Sequence, residues 1–126
     1  MNAVLLTWIL WTLTSLTARQ LPTPEAWVRA DAATRRLDPS DFPDIPESLK
    51  SELRRRGCTI PQVFTGGRPH NVIRGNFMSS NQRDWAVLCS RDRTSSILVF
   101  RGGDARAVSE LAARADADFL QVVAPG

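Results

Sequence analysis

Residues 71–100 read NVIRGNFMSSNQRDWAVLCSRDRTSSILVF, and this stretch decides the predicted fold. It contains three apolar runs separated by polar breaks, which is the pattern of three antiparallel strands joined in a meander. In the second run Trp85, Val87 and Cys89 point to one side of the strand, and the residues between them point to the other. The third run, Ile97 to Phe100, is apolar without interruption, which is typical of a strand covered on both faces. Such a strand needs helices or another sheet over it.

The segment before the meander supplies one candidate helix over residues 21–37. Thr23 can cap it, Pro24 suits its first turn, and apolar residues recur along it at helical spacing. Two prolines interrupt the next segment, 38–44, which is therefore predicted to be a connector with Phe42 as its anchor.

A second helix is predicted from about Ile45 to Arg56. Asp44, followed three residues later by Glu47, fits an N-terminal capping pattern. Arg residues in the last turn complement the negative end of the helix dipole, and Gly57 supplies a left-handed stop.

Beyond the meander, Asp104 can cap a third helix that runs through about Ala115. The apolar residues of this segment recur at i, i+3, i+4 and i+7, namely Val108, Leu111, Ala112 and Ala115. They form a narrow stripe that could lie on the sheet. Residues 118–123 predict a fourth strand. A turn-forming pair, Pro125-Gly126, follows it and usually introduces another element, so we expect the chain to be a fragment or a truncated gene product.

The N-terminal residues 1–18 form an apolar block without charge. Such a block is short for a membrane span, which needs about 20 residues, and it ends in small residues. It therefore predicts a secretory signal peptide cut after Ala18, with an uncleaved anchor as the alternative. The predicted organisation is this signal, an N-terminal helix and Pro-rich connector over 19–44, and an α+β domain over 45–126.

Two cysteines, Cys58 and Cys89, remain in the exported chain. An even count in an exported protein favours a disulfide, which would stabilise a loop of this length by about 3–4 kcal/mol. Two alternatives stay open at this stage. The cysteines could be buried and free, or one could be a catalytic thiol that works with His70, the only histidine.

The chain carries a net charge of +3, and its basic residues concentrate between Arg54 and Arg106, where ten Arg face three acids. Such a segment could bind an anionic surface. The candidate residues of this anion-binding face are Arg74, Arg83, Arg91, Arg93 and Arg101. A nucleic-acid partner is not expected, because the aromatic residues here are spaced like core residues rather than like a stacking platform, and because the protein is predicted to be exported.

Candidate chemistry is sparse. No Gly-x-Ser-x-Gly elbow occurs, and a metal site has little support with His70 as the only imidazole. Asp84 and Asp92 could act as paired carboxylates only in a shared cleft, and their positions at strand ends favour turn chemistry instead. The sequence therefore predicts no catalytic, cofactor-binding or metal-ligating residues.

Four motifs together resemble a family of uncharacterised exported bacterial proteins. They are RRRGCTIPQ at 54–62, NVIRGNF at 71–77, DWAVLCS at 84–90 and SSILVF at 95–100. The resemblance implies that both cysteines belong to the family's pattern and that family members run on past the end of this chain. It implies no activity.

The predicted fold is therefore α+β: N-terminal helices, an antiparallel β-meander, one further helix packed on the sheet and one disulfide. The predicted function is a non-enzymatic, secreted or periplasmic module that binds a protein or a cell-envelope component, with no stable membrane span after signal cleavage. Two alternatives are an N-terminal fragment of a larger envelope hydrolase, with its catalytic residues beyond residue 126, and the thiol enzyme.

Overall fold

A computed structural model describes residues 21, 23–63 and 66–118 of the chain. Within these residues it contains two α-helices, α1 (Pro24–Ala33) and α2 (Glu47–Arg55). The strands are β1 (Arg35–Leu37), β2 (Ile60–Gln62), β3 (Val72–Gly75), β4 (Asp84–Arg91), β5 (Thr94–Phe100) and β6 (Val108–Ala115). The predicted signal peptide lies outside the described residues, as does the predicted fourth strand except for Asp118.

Helix α1 begins where the sequence predicts and ends earlier. Thr23 Oγ1 accepts a hydrogen bond from the Ala26 N–H at 3.3 Å, and Pro24 occupies the first turn. The helix ends at Ala33 rather than Leu37, because residues 35–37 form β1 and pair antiparallel with β2.

Helix α2 confirms its predicted stop and corrects its predicted start. The helix begins at Glu47, and the expected cap by Asp44 is wrong. Pro46 occupies the capping position with an extended backbone and provides no side-chain hydrogen bond. Gly57 adopts a φ of +73° just after the helix, a conformation that favours glycine. Two leucines of α2 are fully buried, Leu49 and Leu53.

The predicted meander and the predicted disulfide are both confirmed. Strands β3, β4, β5 and β6 form one antiparallel sheet in chain order. The disulfide joins Cys58, just after α2, to Cys89 in the middle of β4, with Cα atoms 5.0 Å apart. It therefore fastens the helix end to the centre of the sheet.

The third helix predicted over 104–115 is wrong, because residues 108–115 form strand β6. The backbone of this segment pairs with the free edge of β5 from Phe100 back to Thr94. The alanine-rich sequence favours a helix locally, but pairing with a neighbouring strand overrides such a weak preference. The segment predicted to cover the sheet is therefore an additional strand of it.

The two faces of the sheet differ as a result. We call one the core face; it carries Trp85, Val87, Cys89, Leu98 and Phe100 and packs on α2. We call the other the open face; it carries Ile73, Ala86, Leu88, Ile97, Val99 and Leu111. On the open face Ile73 is 57%, Leu111 51% and Ile97 39% exposed. The predicted cover on both sides of β5 is therefore wrong at Ile97, since β6 extends the sheet instead of lying on it.

Strand β6 contains an irregularity opposite the middle of β5. Ser95 pairs with Arg114 and Ile97 with Leu111, so two steps along β5 span three along β6. Ala112, within the longer step, has a φ of +55°. An extra residue of this kind is a β-bulge, which bends the strand and increases its twist.

Candidate binding cleft

A cleft of about 470 Å³ opens on the core-face side of the sheet, beside Trp85. Its floor is apolar and consists of Phe42, Ile45, Val72 and the Trp85 ring. Phe42, the predicted anchor of the connector, is buried in the core cluster as expected. The size and the apolar floor are those of ordinary ligand sites, which range over about 300–1,000 Å³.

One wall of the cleft is the connector before α2. Asp38 and Asp41 form reciprocal side-chain hydrogen bonds with the backbone and fix a short 3₁₀ turn just before Phe42. The backbone N–H of Ile45 then donates to the carbonyl of Phe42 at 3.2 Å. Two buried apolar anchors three residues apart leave Asp44, between them, exposed at the rim.

The other wall is the loop that carries Arg68, and Gln62 ties it down. The Gln62 side chain donates to the His70 carbonyl at 3.0 Å and accepts from the His70 N–H at 2.8 Å. The His70 Nε2 in turn accepts from the Val63 N–H at 3.0 Å. His70, the only histidine of the chain, is half-buried and supports this loop.

Two charged side chains at the rim of the cleft have no partner within the described part of the chain. Asp44 and Arg68 are both exposed, and neither forms an ion pair or a side-chain hydrogen bond there. A third charge, the Arg74 guanidinium, lies over the Trp85 ring at 5.6 Å from its centroid, a cation–π contact. The cleft therefore combines an apolar floor with one acid and one base that are available to a ligand.

The five arginines of the predicted anion-binding face fall into two groups. Arg74, Arg83 and Arg101 lie at the end of the sheet where β4 begins, and Arg91 and Arg93 lie at the opposite end. Six or seven steps along β4 separate the groups by about 20 Å, at about 3.3 Å per residue. Arg91 pairs with Glu110, and Arg93 pairs with Asp31 at 2.7 Å. The structure thus does not bring the five together on one surface.

A polar hollow lined by Arg56, Arg91, Asp92 and Thr94 lies near the second group. Its cations are already neutralised, because Arg56 contacts Glu52 at 2.7 Å and Arg91 contacts Glu110. This hollow offers less to an anion than the unpaired Arg68 does.

The two carboxylates weighed as a catalytic pair lie at opposite ends of β4 and share no cleft. Asp84 is fully buried and accepts four hydrogen bonds. Three come from the backbone N–H groups of Gly102, Phe77 and Met78, and one comes from the Gln82 amide, all within 3.0 Å. These bonds, led by the one from Gly102, lower the pKa of Asp84 to about 2 despite its burial. A carboxyl so firmly ionised fastens loops and is unsuited to donating a proton.

A buried ion network that no sequence pattern indicates closes the other end of the sheet. The fully buried Asp116 carboxylate accepts from the Arg36 guanidinium at 2.7 Å and from the Ser90 hydroxyl at 2.6 Å. Burial opposes ionisation, but these two bonds lower the pKa of Asp116 below its ordinary value. Arg36 and Arg93 both also contact Asp31 of α1. The network therefore fastens α1 and β1 to the sheet.

Other chemistry finds no support in the described residues. Both sulfurs are bonded to each other and no cysteine there is free, so the thiol-enzyme alternative has no nucleophile in this oxidised form. Nowhere in the described ranges do three His, Cys, Asp or Glu side chains gather as metal ligands would. Across the same ranges, no helix has the length and apolar character to cross a membrane.

Comparison of the chain with models of protein families, with curated proteins and with solved structures gives no match.

Proposed function

We propose that this chain is a non-enzymatic, exported binding module for a protein or a cell-envelope component, and that the cleft beside Trp85 is its binding site. The observation that carries the proposal is the pair of unpartnered charges, Asp44 and Arg68, on the rim of a pre-formed apolar cleft. Convergent polar groups around an apolar floor are the usual marks of a ligand site. The disulfide supports the exported location, since such bonds persist in oxidising compartments.

A titration followed by two-dimensional ¹⁵N–¹H NMR tests this function. The disulfide-bonded protein is mixed with two pools, one of random heptapeptides and one of soluble glycan fragments of the cell envelope. At least one pool is expected to shift the amide signals of the cleft segments, 42–45 and 68–72, together with the Trp85 indole signal. A bound ligand should change these chemical shifts because residues of both segments and Trp85 line the same cleft.

Two neighbouring residues of β3 provide a matched pair of variants. Val72 lines the cleft, whereas Ile73 points to the open face. Val72→Phe should narrow the cleft and weaken binding about tenfold or more, and Ile73→Phe should leave the affinity unchanged. If neither pool shifts the cleft signals, or if Ile73→Phe alone abolishes binding, the cleft is not the binding site.

A further inference from the structure

The polar groups of the cleft discriminate between classes of ligand. A guanidinium presents a planar fork of donors that matches a carboxylate in a bidentate way. Arg68 has no acid partner in the described part of the chain, so its fork is open to a ligand. A ligand with a carboxylate, or another planar anion, satisfies it.

Asp44 adds a second requirement. Its carboxylate is an acceptor without a donor among the described residues, so a ligand with N–H groups satisfies it. A polypeptide carries N–H donors and carboxylate acceptors together. An acyl chain with a carboxylate head would satisfy Arg68 and leave Asp44 without a partner.

The two aromatic residues of the cleft, Phe42 and Trp85, make a glycan the less favoured ligand, because both are nearly buried. Sugars commonly dock on the exposed face of an aromatic ring, but the Arg74 guanidinium already lies over the Trp85 ring. Trp85 itself is nearly buried. The ring therefore contributes apolar surface to the floor rather than a free stacking platform.

The size of the cleft favours the end of a chain over an internal segment. A volume of 470 Å³ is about 8 Å across if it is equidimensional, which accommodates about two or three residues of extended chain at ~3.3 Å each. A chain that ends within this distance places its terminal carboxylate in the cleft, where Arg68 lies.

We propose that the cleft binds the C-terminal two or three residues of a partner polypeptide. Apolar side chains of the partner rest on Ile45 and Val72, the terminal carboxylate binds Arg68, and a backbone N–H donates to Asp44. This inference rests on the proposed function, because it names the ligand class of the same site.

The test uses fluorescein-labelled hexapeptides whose last three positions are drawn from Val, Leu, Ile, Phe and Pro. Each peptide is prepared as the free acid and as the C-terminal amide, and binding is followed by fluorescence anisotropy. The tightest free acids are expected to lose about tenfold or more in affinity on amidation, since a charge-assisted bidentate pair is lost. Arg68→Gln should bind acid and amide equally.

Arg83→Gln is the matched control, because Arg83 is an exposed arginine at the same end of the sheet and outside the cleft. It should retain the preference for the free acid. A loss of that preference in Arg83→Gln would overturn the assignment of the carboxylate to Arg68.

The remaining outcomes show whether the proposed ligand class fails alone or together with the proposed function. If acid and amide bind equally and Val72→Phe abolishes both, the ligand class is wrong and the cleft remains the binding site. If the free acids bind Val72→Phe as tightly as they bind the wild type, the cleft is the wrong site and the proposed function fails with it. If no hexapeptide binds and the envelope glycan fragments do, the partner is a glycan and this proposal is wrong.

Discussion

The two faces of the sheet are stabilised in different ways. The core face packs fully buried apolar residues on α2, and the disulfide crosses it at Cys89. The open face exposes apolar residues in its middle and is closed at its two ends by buried carboxylates, Asp84 at one and Asp116 at the other. By strand alternation, Asp84 and Ser90, the partner of Asp116, lie on the same side of β4 as the open face.

The difference between the faces arises because residues 108–115 form a strand of the sheet rather than the predicted helix on top of it. Because residues 108–115 extend the sheet, Ile97 and Leu111 on the open face stay exposed, while Ala86 and Val99 on the same face are buried. At its two ends the open-face side also depends on hydrogen bonds to carboxylates, which fix the adjoining loops. The core face therefore contributes most of the buried apolar packing, and the open face carries the exposed apolar residues.

The largest expected difference in the free energy of unfolding comes from truncating a leucine to alanine on each face. Leu98→Ala on the core face should lower the free energy of unfolding by about 2.7–5 kcal/mol, since Leu98 is fully buried and the change leaves a cavity. Leu111→Ala on the open face should change it by about 0.5 kcal/mol or less, as for other exposed sites. Urea denaturation of the disulfide-bonded protein measures both.

Equal losses for the two variants would contradict the division of the faces. They would mean that the open face is packed against another surface in solution. The two free energies can be compared only if each variant has the same denaturation slope as the wild type.

Removal of the disulfide should have the next largest effect. The bond joins residues 31 apart in the sequence, and loss of that constraint on the unfolded chain should cost about 3–4 kcal/mol. Cys58→Ser, Cys89→Ser and the double variant should all lose the same amount, because each removes the one bond. Urea denaturation without reductant gives the values, and a double variant much less stable than either single one would show a role for the thiols beyond the bond.

Lowering the pH should destabilise the protein through Asp84, which lies on the open-face side of the sheet. Because its folded-state pKa of about 2 lies below the ordinary 3.8, its stabilisation is complete above about pH 4 and is lost as the pH falls toward 2. Asp84→Asn should therefore be less stable than the wild type at pH 7, and the difference should shrink between pH 4 and pH 2. Thermal denaturation across this range measures it, and a difference independent of pH would assign the effect to shape rather than charge.

The sequence predicted the parts of the fold that depend on local alternation. The meander over residues 71–100 follows from apolar runs with polar breaks, and the Cys58–Cys89 bond follows from an even count of cysteines in a chain predicted to be exported. Strand β6 could not be predicted in this way. Its alanines favour a helix, and what decides its conformation is the edge of β5, which a local pattern does not include.

The cleft could not be predicted from local sequence patterns either. The pattern around Asp44 predicts a helix cap, and Arg68 lies 24 positions further along, in the loop between β2 and β3. They share a rim because Phe42 and Ile45 anchor one wall and Gln62 anchors the other. Only Phe42 carried a usable signal, as an isolated aromatic between prolines.

The bulge at Ala112 has a consequence for how molecules of this chain meet one another. Strand β6 is the last strand of its sheet, and in the described part of the chain its outer row of N–H and C=O groups faces no neighbour. An eight-residue regular edge would be a template on which a strand from another molecule could add. The residue with a φ of +55° breaks that row near its middle, so neither half offers a long straight run of unpaired groups. The irregular alanine therefore protects the exposed edge against strand-by-strand aggregation.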